Sequence, residues 1–263
     1  MLKKRLIPKL LIKHRQLGPV MRPVLVTTRQ YRDFIEVGDP VSQAKIYEAQ
    51  LADELIVLNI DGTDIRDDGV MLALIERLAS ETFMPLAVGG GVRSADDFGL
   101  LLETGADKVC INTAALDDPA LIGEAASRYG AQCVVISIDY RISVDGVAIV
   151  HRDHASTATD LTLIDWAREA ANRGAGELHI VNADRDGGGE GLDIANAQAV
   201  TSAVDIPVIL SGGCGLSAHF SAGFVEAEAE GVAAGTFFAL RDQNPIQARS
   251  HIRNAGVAIR MGT

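Results

Sequence analysis

Along the chain, short runs that are apolar almost without interruption alternate with longer stretches whose apolar residues recur at helical spacing. The runs cover residues 6–12, 55–61, 85–90, 108–113, 133–140, 177–184, 207–213 and 231–238. Runs such as VVISI and PVILS are near-continuously apolar rather than apolar at every second position, which is how strands covered on both faces of a parallel sheet read. The intervening DDFGLLLETG and LIDWAREAANRG are amphipathic, and the second ends at Gly174 as a helix C-terminus does. Eight strands alternating with helices predict a parallel (β/α) barrel, with an open doubly wound sheet as the rival. The length of 263 residues fits one such barrel domain spanning residues 1–263.

An internal repeat favours the barrel. LAVGGGVRSADDF followed by GADKVCINTAAL resembles ILSGGCGLSAHF followed by EGVAAGTFFAL, with Gly90 matching Gly212 and Thr113 matching Thr236. The chain therefore reads as two half-barrels, and in that register Leu11 on strand one takes the place that Asp139 takes on strand five. Residues 13–39 and 141–159, after strands one and five, are too long for ordinary βα loops and are expected to be loops or hairpins covering a substrate at the face where barrel active sites form.

Charge and composition narrow the partners. A formal net charge of -11 disfavours nucleic acid and anionic membrane surfaces, which need a basic field. Cys110, Cys133 and Cys214 lie far apart, and the histidines form no ligand cluster, so neither a disulfide framework, a metal site nor a cofactor is implied. A reducing cytosol suits such a chain. MLKKRLIPKLLIKHR begins basic, but Pro8, Lys9 and Lys13 interrupt its apolar run short of a signal sequence.

A small phosphorylated substrate is compatible with the acidic net charge, because glycines let backbone N–H groups converge on an anion. Gly90 and Gly91 end strand three, and Asn112 and Thr113 end strand four; Gly212 and Gly213 end strand seven, and Gly235 and Thr236 end strand eight. Two matched stations suit a ligand with a phosphate at each end. Carboxylates at strand ends supply the acid and base candidates: Asp61, Asp139, Asp184 and Asp186. His151 and His154 fall in the fifth loop, where a solvated or substrate-facing role is expected.

From end to end, the motifs RLIPKLLIK, VGDPV, DELIVLNID, VGGGVRSADD, GADKVCINTAAL, IDYR, ADRDGGGEG, SGGCG and AAGTFF resemble the landmarks of the cyclase subunit of imidazole glycerol phosphate synthase, HisF. The resemblance implies a barrel that takes ammonia from a glutaminase docked on its N-terminal face and joins it to a phosphoribulosyl bisphosphate. It adds Gly187 to the second phosphate station and implies a catalytic role for Asp139, while Asp186 is a catalytic candidate from its own place at a strand end. The family's channel-entrance ring, an ammonia gate, corresponds to Arg5, Glu54, Lys108 and Glu177, and Asp107 resembles a partner-contacting aspartate.

Two departures matter. Leu11 stands where the family's strand-one catalytic aspartate should be, and HRQLGPVMR replaces a loop run that carries a functional lysine; Asn59 also replaces an aspartate. The LLIK sequence is similar to that of HisF paralogues found with surface-glycan genes, which work with a HisH-like glutaminase and a sugar amidotransferase to build acetamidino groups. Three functions follow as alternatives: such an ammonia-delivering subunit, a histidine-pathway cyclase with a substitute acid, and a non-catalytic activator of a glutaminase.

Overall fold

In a computed structural model that describes residues 3–240 and 243–259, strand β1 (Arg5–Leu17) pairs in parallel with β2 (Leu55–Asn59) on one side and β8 (Gly231–Ala234) on the other. The strands β3 (Leu86–Gly89), β4 (Lys108–Ile111), β5 (Val134–Ile142), β6 (Glu177–Asn182) and β7 (Val208–Ser211) complete the parallel ring. The sheet closes on itself, so the barrel expectation holds and the open sheet is excluded. Among the described residues no helix is long and apolar enough to cross a membrane.

Local chemistry sets the helix boundaries. Ser94 and Asp97 form a reciprocal capping box at the start of helix Ala95–Thr104, which ends at left-handed Gly105. Asp39 caps helix Pro40–Ala49 with Pro40 in its first turn. Helix Leu163–Asn172 stops two residues before Gly174, whose φ is 108°.

The uninterrupted strands divide their side chains between two layers. Leu6, Leu10, Val57, Val109, Ile136, Ile180 and Leu210 pack outward with the helices, whereas Ile7, Ile56, Ala87, Cys110, Val135, Ile209 and Ala233 form a separate buried cluster inside the barrel. Each strand is buried on both faces, which explains the missing alternation.

The half-barrel repeat extends to hydrogen bonds. The Asn59 amide donates to Asp68 at 2.6 Å and accepts from the Asp61 N–H, while Asn182 donates to Asp193 at 2.8 Å and accepts from the Asp184 N–H. Asp68 and Asp193 in turn cap the helices Gly69–Glu81 and Ile194–Thr201. A side chain at Gly90 would place its Cβ 2.1 Å from the Asn59 carbonyl oxygen, and one at Gly212 would sit 2.5 Å from that of Asn182. The matched glycines thus permit the same close approach in each half.

Both long segments are hairpins. Strands Val20–Arg29 and Arg32–Gly38 extend β1, and Ala148–Arg152 and Thr157–Thr162 extend β5. The strand-one run is longer than the hydrophobic pattern indicated, because β1 stays paired with its hairpin through Leu17.

This layering makes a thiol prediction. Cys110 sits inside the barrel, where burial pushes its thiol well above the ordinary range, and Cys214 is also buried, whereas Cys133 is half-buried. A thiol reagent at pH 8 should modify Cys133 on the native protein and reach Cys110 and Cys214 only after denaturation; peptide mapping of the labelled sites checks this.

Candidate active site at the barrel mouth

At the end of the barrel opposite the mouth, four charged side chains close a ring. The Arg5 guanidinium bonds Glu54 at 2.6 Å and also Glu177, and the Lys108 ammonium bonds Glu54 at 2.9 Å and Glu177 at 2.8 Å. Every charge has two opposite neighbours, the arrangement that makes burial of ions tolerable. Burial alone would lower the pKa of Lys108, but Glu54 and Glu177 outweigh it and the value is raised. Asp107, beside the ring, is exposed and accepts from the Leu86 N–H.

The mouth encloses a cavity of about 750 Å³ that descends between the strands to Cys110 and His179. Gly90, Gly91, Asn112 and Thr113 line it, so the first station opens directly onto this space, with Arg93 and Arg152 nearby in the wall. Thr113 also accepts from the Asp153 N–H of the β5 hairpin at 3.1 Å.

The second station is tighter. Gly187, Gly212, Gly213, Gly235 and Thr236 surround a space of about 20 Å³ together with Lys9, Thr27 and Thr28. That holds about one water. The contact is close: a Cβ at Gly187 would lie 2.0 Å from the Thr28 carbonyl oxygen.

The carboxylates separate into two pairs with different employment. Asp139 and Asp186 are buried and line the cavity. Asp61 and Asp184 are outside its wall: Asp61 bonds Lys13 at 2.8 Å and the His14 N–H, and Asp184 bonds Arg141 at 2.6 Å and the Ile142 N–H. Both tie down the strand extensions rather than face the cavity. His154 lines the cavity, whereas His151 stands across from Asp139 on the β5 hairpin and turns its ring to the Ile149 carbonyl.

Tyr31, Thr28, Gln30 and Lys9 reach the site although the sequence did not single them out as site residues. The Tyr31 hydroxyl donates to Asp139 at 2.5 Å, and Asn112 donates to the other carboxylate oxygen at 2.8 Å. The Thr28 hydroxyl donates to Asp186 at 2.5 Å, and the Gln30 N–H bonds the Asp186 carbonyl at 2.9 Å. Lys9, projecting inward from β1, places its ammonium 3.9 Å from Asp186 and 3.3 Å from the Ser211 hydroxyl. Leu11, at the pseudo-symmetric counterpart of Asp139, gives the cavity wall an apolar side chain.

Burial pushes the Asp139 carboxyl above the ordinary carboxylate range; the Tyr31 hydrogen bond and the Lys9 charge oppose the shift, and Asp186 adds to it. Burial and the Asp139 charge raise Tyr31 well above an ordinary phenol, so it remains the donor of the pair. The site holds a carboxylate with raised proton affinity in hydrogen-bonded contact with a protonated phenol.

Comparison with known proteins places this geometry in context. A model of the family described as histidine biosynthesis protein matches residues 6–243. A Prochlorococcus marinus (strain MIT 9313) protein provisionally named imidazole glycerol phosphate synthase subunit hisF2 is 52% identical over 263 residues, covering 99% of each chain.

The raised pKa of Asp139 predicts a pH-dependent stability difference. Its folded value exceeds the ordinary unfolded value of ~3.9, so its contribution is most favourable below that value and is lost as pH rises through the folded pKa. Asp139→Asn cannot ionise. Thermal unfolding at pH 4 and pH 8 should show the variant gaining stability relative to the parent as pH increases; a constant difference contradicts the assignment.

Proposed function

The chain belongs to the histidine biosynthesis protein family, and from that membership we propose that it takes ammonia from a HisH-like glutaminase and delivers it to a phosphorylated or nucleotide-sugar substrate at the barrel mouth. It works in the manner of the surface-glycan paralogues that build acetamidino groups, with a sugar amidotransferase as a further partner and the cytoplasm as its location. The observation that carries this reading is the complete charged ring at one end of a barrel whose other end has Leu11 in place of an acid.

The ring bars ions by offering no unpaired charge. Lys108 is its most accessible side chain, at 21% against 11% for Arg5 and less for the two glutamates, so it is the member best able to swing aside. Above it, the aliphatic layer of Ile7, Ile56, Val135 and Ile209 favours passage of neutral ammonia over ammonium. At the mouth, Gly90, Gly91, Asn112 and Thr113 receive one phosphate and Gly187, Gly212, Gly213, Gly235 and Thr236 the other, after the hairpin opens. Asp139, with its raised proton affinity, accepts a proton from the incoming nitrogen, and Asp186 with Lys9 orients the acceptor.

The name of the Prochlorococcus relative favours a second reading, a histidine-pathway cyclase. Leu11 weighs against it, since loss of a positioned acid or base typically costs ~10² to 10⁴ in rate. Given the family's phosphoribulosyl bisphosphate and ammonium salts, the protein should turn over far below the usual ~1 to 10³ per second. A rate within that range would establish the cyclase reading instead. Co-expression with a HisH-like glutaminase should yield a complex at micromolar concentration; recovery of an uncomplexed barrel would remove the ammonia route.

The phosphate stations make a separate prediction. Inorganic phosphate should raise the melting temperature in a concentration-dependent way, by an amount equivalent to ~2.7 kcal/mol at 100 times its dissociation constant. Chloride at equal ionic strength should not, and equal effects of the two anions would count against both stations.

A further inference from the structure

Asn112 Oδ1 and His179 Nε2 are buried polar atoms with no hydrogen-bond partner among the described residues, and both residues line the same cavity. Buried polar atoms are nearly always paired, so two unpaired ones in one space mark an incomplete polar layer. Their positions in the sheet bring them together. His179 on β6 is in register with Ser137 on β5, and Ile111 on β4 is in register with Ile136, which sets Asn112 beside Ser137. Asn112, Ser137 and His179 therefore form an arc across three neighbouring strands, with Asp139 two residues further along β5.

The hydrogen bonds that are present fix the capacity left over at Asn112, and the tautomer fixes it at His179. The Asn112 amide N–H₂ faces Asp139 at 2.8 Å, leaving its carbonyl oxygen as an acceptor. His179 Nδ1 lies 3.2 Å from the Ser137 hydroxyl. With the proton on Nδ1, Nε2 is a second free acceptor. Burial, with Lys9 adding to it, lowers the His179 pKa to about 3, so the ring is neutral at working pH. Two acceptors next to a carboxylate call for a small molecule with several N–H bonds. The Lys9 ammonium nearby disfavours a second cation and selects a neutral one.

We propose that the arc of Asn112, Ser137 and His179 is a seat for neutral ammonia at the top of the barrel interior, with its N–H groups donating to Asn112 Oδ1 and His179 Nε2. The assignment rests on the ammonia-delivery reading, gives a role to Ser137 and His179, which that reading leaves unused, and assigns Asn112 Oδ1 to the nitrogen. It places the nitrogen on the cavity floor beneath Asp139, where it waits for the acceptor.

The test needs neither partner nor acceptor. In the full-length protein labelled with ¹⁵N-histidine, His179 resonances are assigned by comparison with His179→Gln. The unliganded spectrum should show a protonated Nδ1 and an unprotonated Nε2. Ammonium chloride in alkaline buffer, where a substantial share is free ammonia, should move the Nε2 resonance saturably. Trimethylamine, which has no N–H in its neutral form, and potassium chloride should not.

A protonated Nε2, an unchanged resonance, or an equal response to trimethylamine would overturn the proposal. A response to ribulose 5-phosphate without one to ammonia would overturn it in favour of a substrate-hydroxyl site. Saturable ammonia binding without a glutaminase complex would leave the seat standing and defeat the delivery reading instead, so the two failures are distinguishable.

Discussion

The mouth, the ring and the interior all depend on the register of β1 between β8 and β2. Arg5 pairs with Gly231 and Lys9 with Ile56, and the same strand continues out of the barrel to form the hairpin over the mouth. Arg5, Ile7, Lys9 and Leu11 occupy alternate positions and project inward as a column from one end to the other. A slip of one residue would turn Leu6, Leu10 and Ile12 inward and drive two cations into the helix layer. The charge of the ring and the aliphatic packing around the barrel therefore enforce the same alignment, and the hairpin inherits its position from it.

The two polar regions of the interior are balanced differently. The ring contains two cations and two carboxylates and satisfies itself. The mouth places Asp139 and Asp186 near one lysine and fills the remaining need with neutral donors: Tyr31, Asn112 and Thr28. Two of those donors come from the β1 hairpin, whose turn holds Gln30, Tyr31 and Asp33 at positive φ. Non-glycine residues adopt that conformation at a cost of order 1–2 kcal/mol each, so docking on Asp139 and the Asp186 loop has to offset it. The carboxylates and the hairpin hold one another in place, and withdrawal of the hairpin for a phosphate would also release the protons they share.

The eight strands, the repeat and the two glycine stations were legible because each depends on local pattern: apolar runs, spacing, and glycines where a Cβ would strike a carbonyl. The inner and outer faces were not, because strands buried on both sides carry no alternation. Lys9, Ser137 and His179 consequently disappeared into runs read as core. One signal was available. Lys9 shares parity with Arg5, Ser137 with Asp139, and His179 with Glu177, so the residues already singled out define the inward face of their own strands. Tyr31 had no comparable marker, since its place follows from the length and bend of the hairpin. Asp61 and Asp184 looked equivalent to the buried aspartates because both kinds lie near strand ends; only the third dimension shows that they anchor strand extensions.

The scaffold of the two half-barrels is nearly the same, down to the Asn59–Asp68 and Asn182–Asp193 hydrogen bonds, but their inward columns have diverged. In the matched register β1 presents Lys9 and Leu11 where β5 presents Ser137 and Asp139. Cation and aliphatic surface face hydroxyl and carboxylate across the barrel, and Asp186 lies on the carboxylate's half as well. The buried carboxylates thus lie on one side of the cavity, where Asp139 is bonded to Tyr31, while Leu11 on the opposite wall offers an apolar side chain that holds no proton to exchange. A reaction that needs acid and base on opposite faces of its substrate is poorly served by this arrangement. One in which a nitrogen arrives from below and its proton departs along a single wall fits the groups that are present.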